Sequence, residues 1–124
     1  ILIGVSRSGK TPTCIYMALQ FGIRAANYPI TEDDLDDNRL PKVLKEYKHK
    51  LFGLMIDPER LVAIRNERKA GSRYASFQQC QMELRAIQGI YISEGIPSLN
   101  ISEMSVEEIA TRVIQTKGLK RRIG

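Results

Sequence analysis

The sequence predicts an α/β fold, a mainly parallel sheet flanked by helices and bearing a P-loop (a phosphate-binding loop), and three observations predict it. The first is an apolar strand, from Ile1 to Val5, that runs into Gly4-Val5-Ser6-Arg7-Ser8-Gly9-Lys10-Thr11 and then into a helix-compatible stretch. The second is a continuous apolar run from Leu51 to Ile56 ending in Asp57, as a strand buried on both faces reads. The third is the alternation of short strands and amphipathic helices, without repeat, linker or low-complexity segment. In such sheets ligands bind outside the carboxyl ends of the strands, so Gly4 to Thr11 and Asp57 are expected on one rim.

The opening element carries the sharpest signal. Gly4, Gly9, Lys10 and Thr11 match the G-x-x-x-x-G-K-S/T pattern in its required strand-to-helix context. Glycines let consecutive N–H groups converge on phosphate oxygens, and the helix that follows adds the positive end of its dipole. Lys10 is then expected to reach the terminal phosphates, and Thr11 to offer its hydroxyl to Mg2+. Pro12 suits a first helical turn, which needs no N–H there.

The helix from Thr13 to Phe21 is apolar over much of its surface (Ile15, Met17, Ala18, Leu19, Phe21), which predicts burial against a sheet, and Gly22 closes it. Ile23 to Ile30 reads as a second strand, with Pro29 at a strand end or a sheet edge. The acidic stretch Thr31 to Asn38 lacks the ligand spacing and glycine of a calcium loop and reads as a solvated loop or helix start. Pro41 opens a short helix to about Lys48, with Val43, Leu44 and Tyr47 on one side and His49, read as a surface or helix-end residue rather than a ligand, near its end. Pro58 starts a further helix, ended by Gly71, with Leu61 and Ile64 inward and Arg60, Arg65, Glu67 and Arg68 outward.

Ser76 to Glu94 is the longest helix, with a stripe of Phe77, Cys80, Leu84, Ile87 and Tyr91 and a capping box of Ser76 with Gln79. Gly95 stops it, and Ile96 to Ile101 supplies a fourth short strand. Ser105 with Glu108 caps a last helix along Val106, Ile109, Ala110, Val113 and Ile114.

Composition narrows the function classes. The chain has 124 residues and a formal charge of +5, its basic residues spread rather than packed into one tract. That balance suits phosphate-bearing ligands, and no interleaving of aromatic and basic residues supports a nucleic-acid platform. Two cysteines, Cys14 and Cys80, are too few for a disulfide framework, so a cytoplasmic location and burial as small core residues are expected. No apolar run approaches the roughly 20 residues of a membrane span. Beginning in mid-strand without methionine, residues 1–124 are expected to form one nucleotide-binding domain at the C-terminal end of a longer protein.

Asp57 is the second anchor. An acid ending a buried strand is placed to hold Mg2+ directly or through water, and it is the first candidate for general base. It equally suits the N-cap of the helix starting at Pro58, and both roles are compatible. Arg60, Arg65, Arg68, Lys69 and Arg73 form a basic cluster that either neutralises a transferring phosphoryl group or is a solvated helix face. Arg7, inside the loop, is the best placed of the arginines. The chain lacks an Asn-Lys-x-Asp stretch to read guanine, and Asp57 is followed by Pro-Glu-Arg, which disfavours a GTPase. An ATPase, a small-molecule kinase or a protein kinase of unusual fold remains, as does a non-catalytic or DNA-binding module, which would leave the loop unused.

The stretches GVSRSGKTPT, QFGIRAANYP, KLFGLMIDPERL, IRNER with SRYAS, and SVEEIAT resemble the C-terminal half of the phosphoenolpyruvate synthase regulatory proteins, also called pyruvate, water dikinase regulatory proteins. The resemblance runs over essentially the whole chain. It implies a bifunctional enzyme: an ADP-dependent serine/threonine kinase that inactivates phosphoenolpyruvate synthase on a threonine when a neighbouring catalytic histidine carries phosphate. The same enzyme reactivates its target by phosphorolysis, with inorganic phosphate as acceptor and pyrophosphate as product. It also places the nucleotide-binding stretch on Gly4, Val5, Ser6, Arg7, Ser8, Gly9, Lys10 and Thr11. A sister group regulates pyruvate, phosphate dikinase; QFGIRAANYP favours the synthase group.

Overall fold

A computed structural model of the chain describes residues 1–5, 10–31, 34–35 and 40–118. Strand β1 (Leu2–Val5) leads into helix α1 (Lys10–Phe21), then strand β2 (Asn27–Ile30) and a short helix α2 (Lys42–Lys45). Strand β3 (Phe52–Met55) leads into α3 (Pro58–Arg68) and α4 (Phe77–Glu94), and strand β4 (Ser98–Asn100) into α5 (Val106–Lys117). Single 3₁₀ turns occupy Lys48–Lys50 and Arg73–Ala75.

The sheet is parallel throughout, in the order β2-β1-β3-β4. Its register sets Val5 against Ile30, Ile3 against Gly53, and Leu54 against Leu99. The chain leaves β1 toward β2 and leaves β3 toward β4, so the winding reverses between β1 and β3. That reversal is the switch point where open α/β sheets bind ligands at strand carboxyl ends. Helix α1 packs with α5, and α3 packs with α4, which lies against β1 and β3; right-handed crossovers set the two pairs on opposite faces.

Strand burial follows from that layering. Every residue of β1 is buried, and β3 is buried from Phe52 to Leu54, as their unbroken apolar runs require. The predicted second strand forms only over its last four residues, and Pro29 indeed sits on an edge strand. The fourth strand likewise shortens to Ser98–Asn100. Gly53 lets α4 come close: the Tyr91 ring lies over it, and the Tyr91 hydroxyl reaches the carbonyls of Ile3 at 3.2 Å and Leu54 at 3.0 Å. Tyr91 is 1% exposed, and its burial pushes the phenol pKa well up.

Several local expectations hold and several change. Helix α1 starts at Lys10, earlier than Thr13, and Pro12 falls in its first turn. Its broad apolar surface is not all buried: Met17 and Cys14 face the core, whereas Ile15 and Leu19 are exposed. The helix expected from Pro41 to Lys48 contracts to α2 and a 3₁₀ turn, burying Leu44 but leaving Val43 and Tyr47 exposed. His49 is exposed there, as expected.

Ser76 accepts from the Gln79 N–H as an N-cap, yet the reciprocal half of the expected capping box is missing because the Gln79 side chain turns to Glu83. Phe77, counted in the α4 stripe, is exposed. The full box at Ser105 and Glu108 is made, and α5 buries Ile109, Ala110, Val113 and Ile114. Gly22 and Gly95 take the left-handed conformation that ends α1 and α4. Both cysteines are free and buried, and no helix among the described residues is long and apolar enough to cross a membrane.

Candidate functional site

Lys10 is the first residue of α1, and its side chain folds back so that Nζ donates to the Val5 carbonyl at 2.7 Å. Only 6% of Lys10 is exposed, so a cation is held where β1 ends. The first turn of α1 carries no acidic residue of its own to offset the positive end of the helix dipole. Gly4 and Val5 close β1, and Thr11 is exposed in the first turn. Ser6, Arg7, Ser8 and Gly9 lie outside the described residues.

Asp57 stands just past β3, the strand paired to β1, and thus on the same carboxyl rim as Lys10. It occupies the N-cap position of α3, but its side chain makes no capping hydrogen bond, so the expected side-chain cap is not formed. A closed ring of hydrogen bonds holds it instead. The Asp57 N–H donates to Ser102 Oγ at 2.7 Å, the Ser102 N–H donates to Asn100 Oδ1 at 3.0 Å, and Asn100 Nδ2 donates to Asp57 Oδ1 at 3.0 Å. The ring ties the end of β3 to the end of β4 and orients an exposed carboxylate.

Among the described residues no three His, Cys, Asp or Glu side chains gather into a metal cage. Mg2+ does not need one, since it usually takes one or two carboxylates, waters and substrate phosphates. The exposed carboxylate of Asp57 and the exposed hydroxyl of Thr11 are oxygen donors of that kind.

The arginines separate sharply. Arg65, expected to face outward, is fully buried. Its guanidinium makes a two-pronged pair with Glu83, each N–O distance 3.0 Å, and donates to the Tyr74 carbonyl at 2.9 Å. It also lies 4.2 Å from the centre of the Tyr74 ring. Gln79 Nε2 donates to the same carboxylate at 2.9 Å. Burial opposes the Arg65 charge, but the Glu83 hydrogen bonds and charge outweigh it and raise its pKa. Arg65 and Arg68 therefore do not share an outer face. Arg60, Arg68, Lys69 and Arg73 are exposed.

A cleft lies beside the buried Arg65–Glu83 pair. It encloses about 540 Å³ between residues 29–31, at the carboxyl end of β2, and Arg73, Tyr74, Gln79 and Glu83. Ile30 is paired with Val5, so the cleft begins one strand away from the end of β1. Asn100, Ser102, Tyr74 and Glu83 were not singled out from the sequence, and Gln79 only as a helix cap. Asn100 and Ser102 follow a strand, where the rule that ligands sit at strand carboxyl ends points. Nothing local marks Glu83 as the partner of a residue eighteen positions before it.

The family model described as kinase/pyrophosphorylase matches residues 1–114. A relative in Acinetobacter baylyi is 81% identical over all 124 residues, and one in Acinetobacter baumannii is 79% identical over the same span. A relative in Psychrobacter cryohalolentis is 77% identical. Each is named "Putative phosphoenolpyruvate synthase regulatory protein". The whole of this chain is covered in each comparison, and it spans 45% of the two Acinetobacter proteins and 44% of the Psychrobacter one. The chain belongs to the kinase/pyrophosphorylase family.

Proposed function

We propose that this chain is the P-loop, nucleotide-binding and catalytic portion of a bifunctional regulator of phosphoenolpyruvate synthase. In one direction it transfers the β-phosphoryl group of ADP to a threonine hydroxyl of that enzyme, giving phosphothreonine and AMP and inactivating the target. In the other, inorganic phosphate attacks the phosphothreonine, giving pyrophosphate and free threonine. The observation that carries this reading is Lys10, buried against the Val5 carbonyl at the end of β1 and one strand from Asp57, in a chain of the kinase/pyrophosphorylase family. The names of the relatives favour the synthase over pyruvate, phosphate dikinase as target.

The two reactions fit one site because both move a phosphoryl group through a similarly charged transition state. Gly4 to Thr11 bind the diphosphate, and the Lys10 ammonium exchanges the Val5 carbonyl for phosphate oxygens when ligand arrives. Mg2+, where bound, would be held by Thr11 and Asp57 and would neutralise phosphate charge. Asp57, oriented by Asn100, is the group placed to take the threonine proton. A cation fixed before reaction stabilises developing charge without reorganisation, which is why Lys10 serves both directions.

The experiment is a direct assay of both reactions with the full-length protein. Incubation with ADP and phosphoenolpyruvate synthase whose catalytic histidine carries phosphate should yield phosphothreonine and AMP in equal amounts. Adding inorganic phosphate to the modified target should release pyrophosphate. Phosphothreonine formed from ATP but not from ADP, or release of phosphate without pyrophosphate, would contradict the proposal.

A further inference from the structure

The cleft beside β2 is not used by the phosphate-handling residues, and its chemistry differs from theirs. One wall is Pro29, Ile30 and Thr31; the other is built on Arg73, Tyr74, Gln79 and Glu83. Its volume of about 540 Å³ falls within the roughly 300–1,000 Å³ of small-molecule sites, whose walls are mainly apolar and aromatic with a few polar groups. Because Ile30 is the register partner of Val5, the cleft opens about one strand spacing, ~4.8 Å, from where the diphosphate would lie. Ligands of open α/β sheets bind outside the carboxyl ends of the strands at the switch point, and the end of β2 lies beside it.

The aromatic wall is held with unusual care for a surface turn. Arg65 takes the Tyr74 carbonyl and stacks on its ring, while Glu83 and Gln79 join it in a buried network. A buried ion pair is a poor way to gain stability over packed apolar side chains. It does fix geometry, and the geometry it fixes is the position of Tyr74 at the cleft.

We propose that this cleft is the nucleoside subsite of the nucleotide, with the base packed beside Tyr74 and against Pro29 and Ile30, and the sugar near Thr31. The assignment rests on the nucleotide-binding reading above and adds to it which residues distinguish a nucleoside diphosphate from a bare diphosphate. Gly4 to Thr11 hold what ADP and pyrophosphate share; the cleft holds what only ADP has.

Calorimetric titration of the full-length protein with ADP and, separately, with inorganic pyrophosphate tests it. Tyr74→Ala should weaken ADP roughly tenfold, the loss expected for one aromatic–base stack, and leave pyrophosphate affinity unchanged. Tyr74→Phe should restore ADP affinity. Unchanged ADP affinity in Tyr74→Ala, or equal weakening of both ligands at an unaltered melting temperature, overturns the assignment. Photolabelling of the wild-type protein with 8-azido-ADP needs no variant: label on residues 29–31 or 73–79 supports the subsite, and label confined elsewhere overturns it. A wild-type protein that binds pyrophosphate as tightly as ADP sinks the subsite alone, whereas one that binds neither ligand sinks the nucleotide reading as well.

Discussion

Replacing Gly53 with alanine probes how the two strands that present Lys10 and Asp57 are braced. A Cβ at Gly53 would lie 2.6 Å from Tyr91 Cε1, 2.7 Å from Cε2 and closer still to Cζ. Tyr91 has nowhere to go, being 1% exposed with its hydroxyl set between the carbonyls of Ile3 in β1 and Leu54 in β3. Overpacking a closed core costs about 1–3 kcal/mol, and the displaced hydroxyl forfeits about 0.5–1.5 kcal/mol of hydrogen bonding. The sum, about 1.5–4.5 kcal/mol, is a large part of the roughly 5–15 kcal/mol that stabilises a typical domain. Denaturant unfolding should show a lower midpoint at an unchanged slope. A double-mutant cycle isolates the contact, because Tyr91→Leu removes the ring atoms that the new methyl group strikes. Gly53→Ala with Tyr91→Leu should cost less than the two single changes together, by about 1 kcal/mol or more. Strict additivity, or a neutral Gly53→Ala, would refute the close approach of α4 to the sheet.

The remaining predictions concern the rim, the buried pair, a cap and the thiols. Asp57→Asn should cut both reactions steeply with little change in melting temperature, since the Asp57 side chain caps nothing and Asn retains an oxygen for Asn100; unchanged kinetics would remove Asp57 from the chemistry. Glu83→Leu leaves Arg65 buried without its carboxylate and should lower stability by about 3–5 kcal/mol, measured by chemical unfolding. Ser105→Ala should cost about 1 kcal/mol through the lost capping box on α5 while leaving turnover intact. Burial raises the pKa of Cys14 and of Cys80, so the folded state holds its thiol protons more tightly than the unfolded chain does. Their contribution to stability is complete below the ordinary thiol pKa of about 8.5 and is lost as pH rises beyond it. Thiol labelling of the native protein should accordingly be slow and should accelerate on unfolding.

What was legible in the sequence was whatever local pattern decides. The unbroken apolar runs of β1 and β3 demand burial on both faces in any parallel sheet, and the Ser105–Glu108 box is made by residues three apart. Pro29 declared an edge because it cannot donate to a ladder. What misled was pattern without knowledge of partners. The alternation of arginine and glutamate along α3 reads as a solvated face, and only Glu83 on α4 explains why Arg65 turns inward. An Asp before a proline reads as a helix cap, but Asn100, 43 residues later, takes its carboxylate. Tyr91 looked like one more member of a helix stripe; its bracing of β1 and β3 depends on a glycine in another element. The candidate site was half visible for the same reason. The strand ends could be read off the chain, whereas the cleft exists only once β2, the 73–75 turn and α4 come together.

The central claim is that one phosphate-binding centre, built on Lys10, serves both phosphoryl transfers. Turnover of Lys10→Ala in the full-length protein, measured in both directions on folded material, tests it most directly. Both reactions should fall together by roughly 10²-fold or more, the loss expected when a fixed donor to a charged transition state is removed. A variant that keeps either the ADP-dependent phosphorylation or the pyrophosphate-forming reaction near its original rate would contradict it.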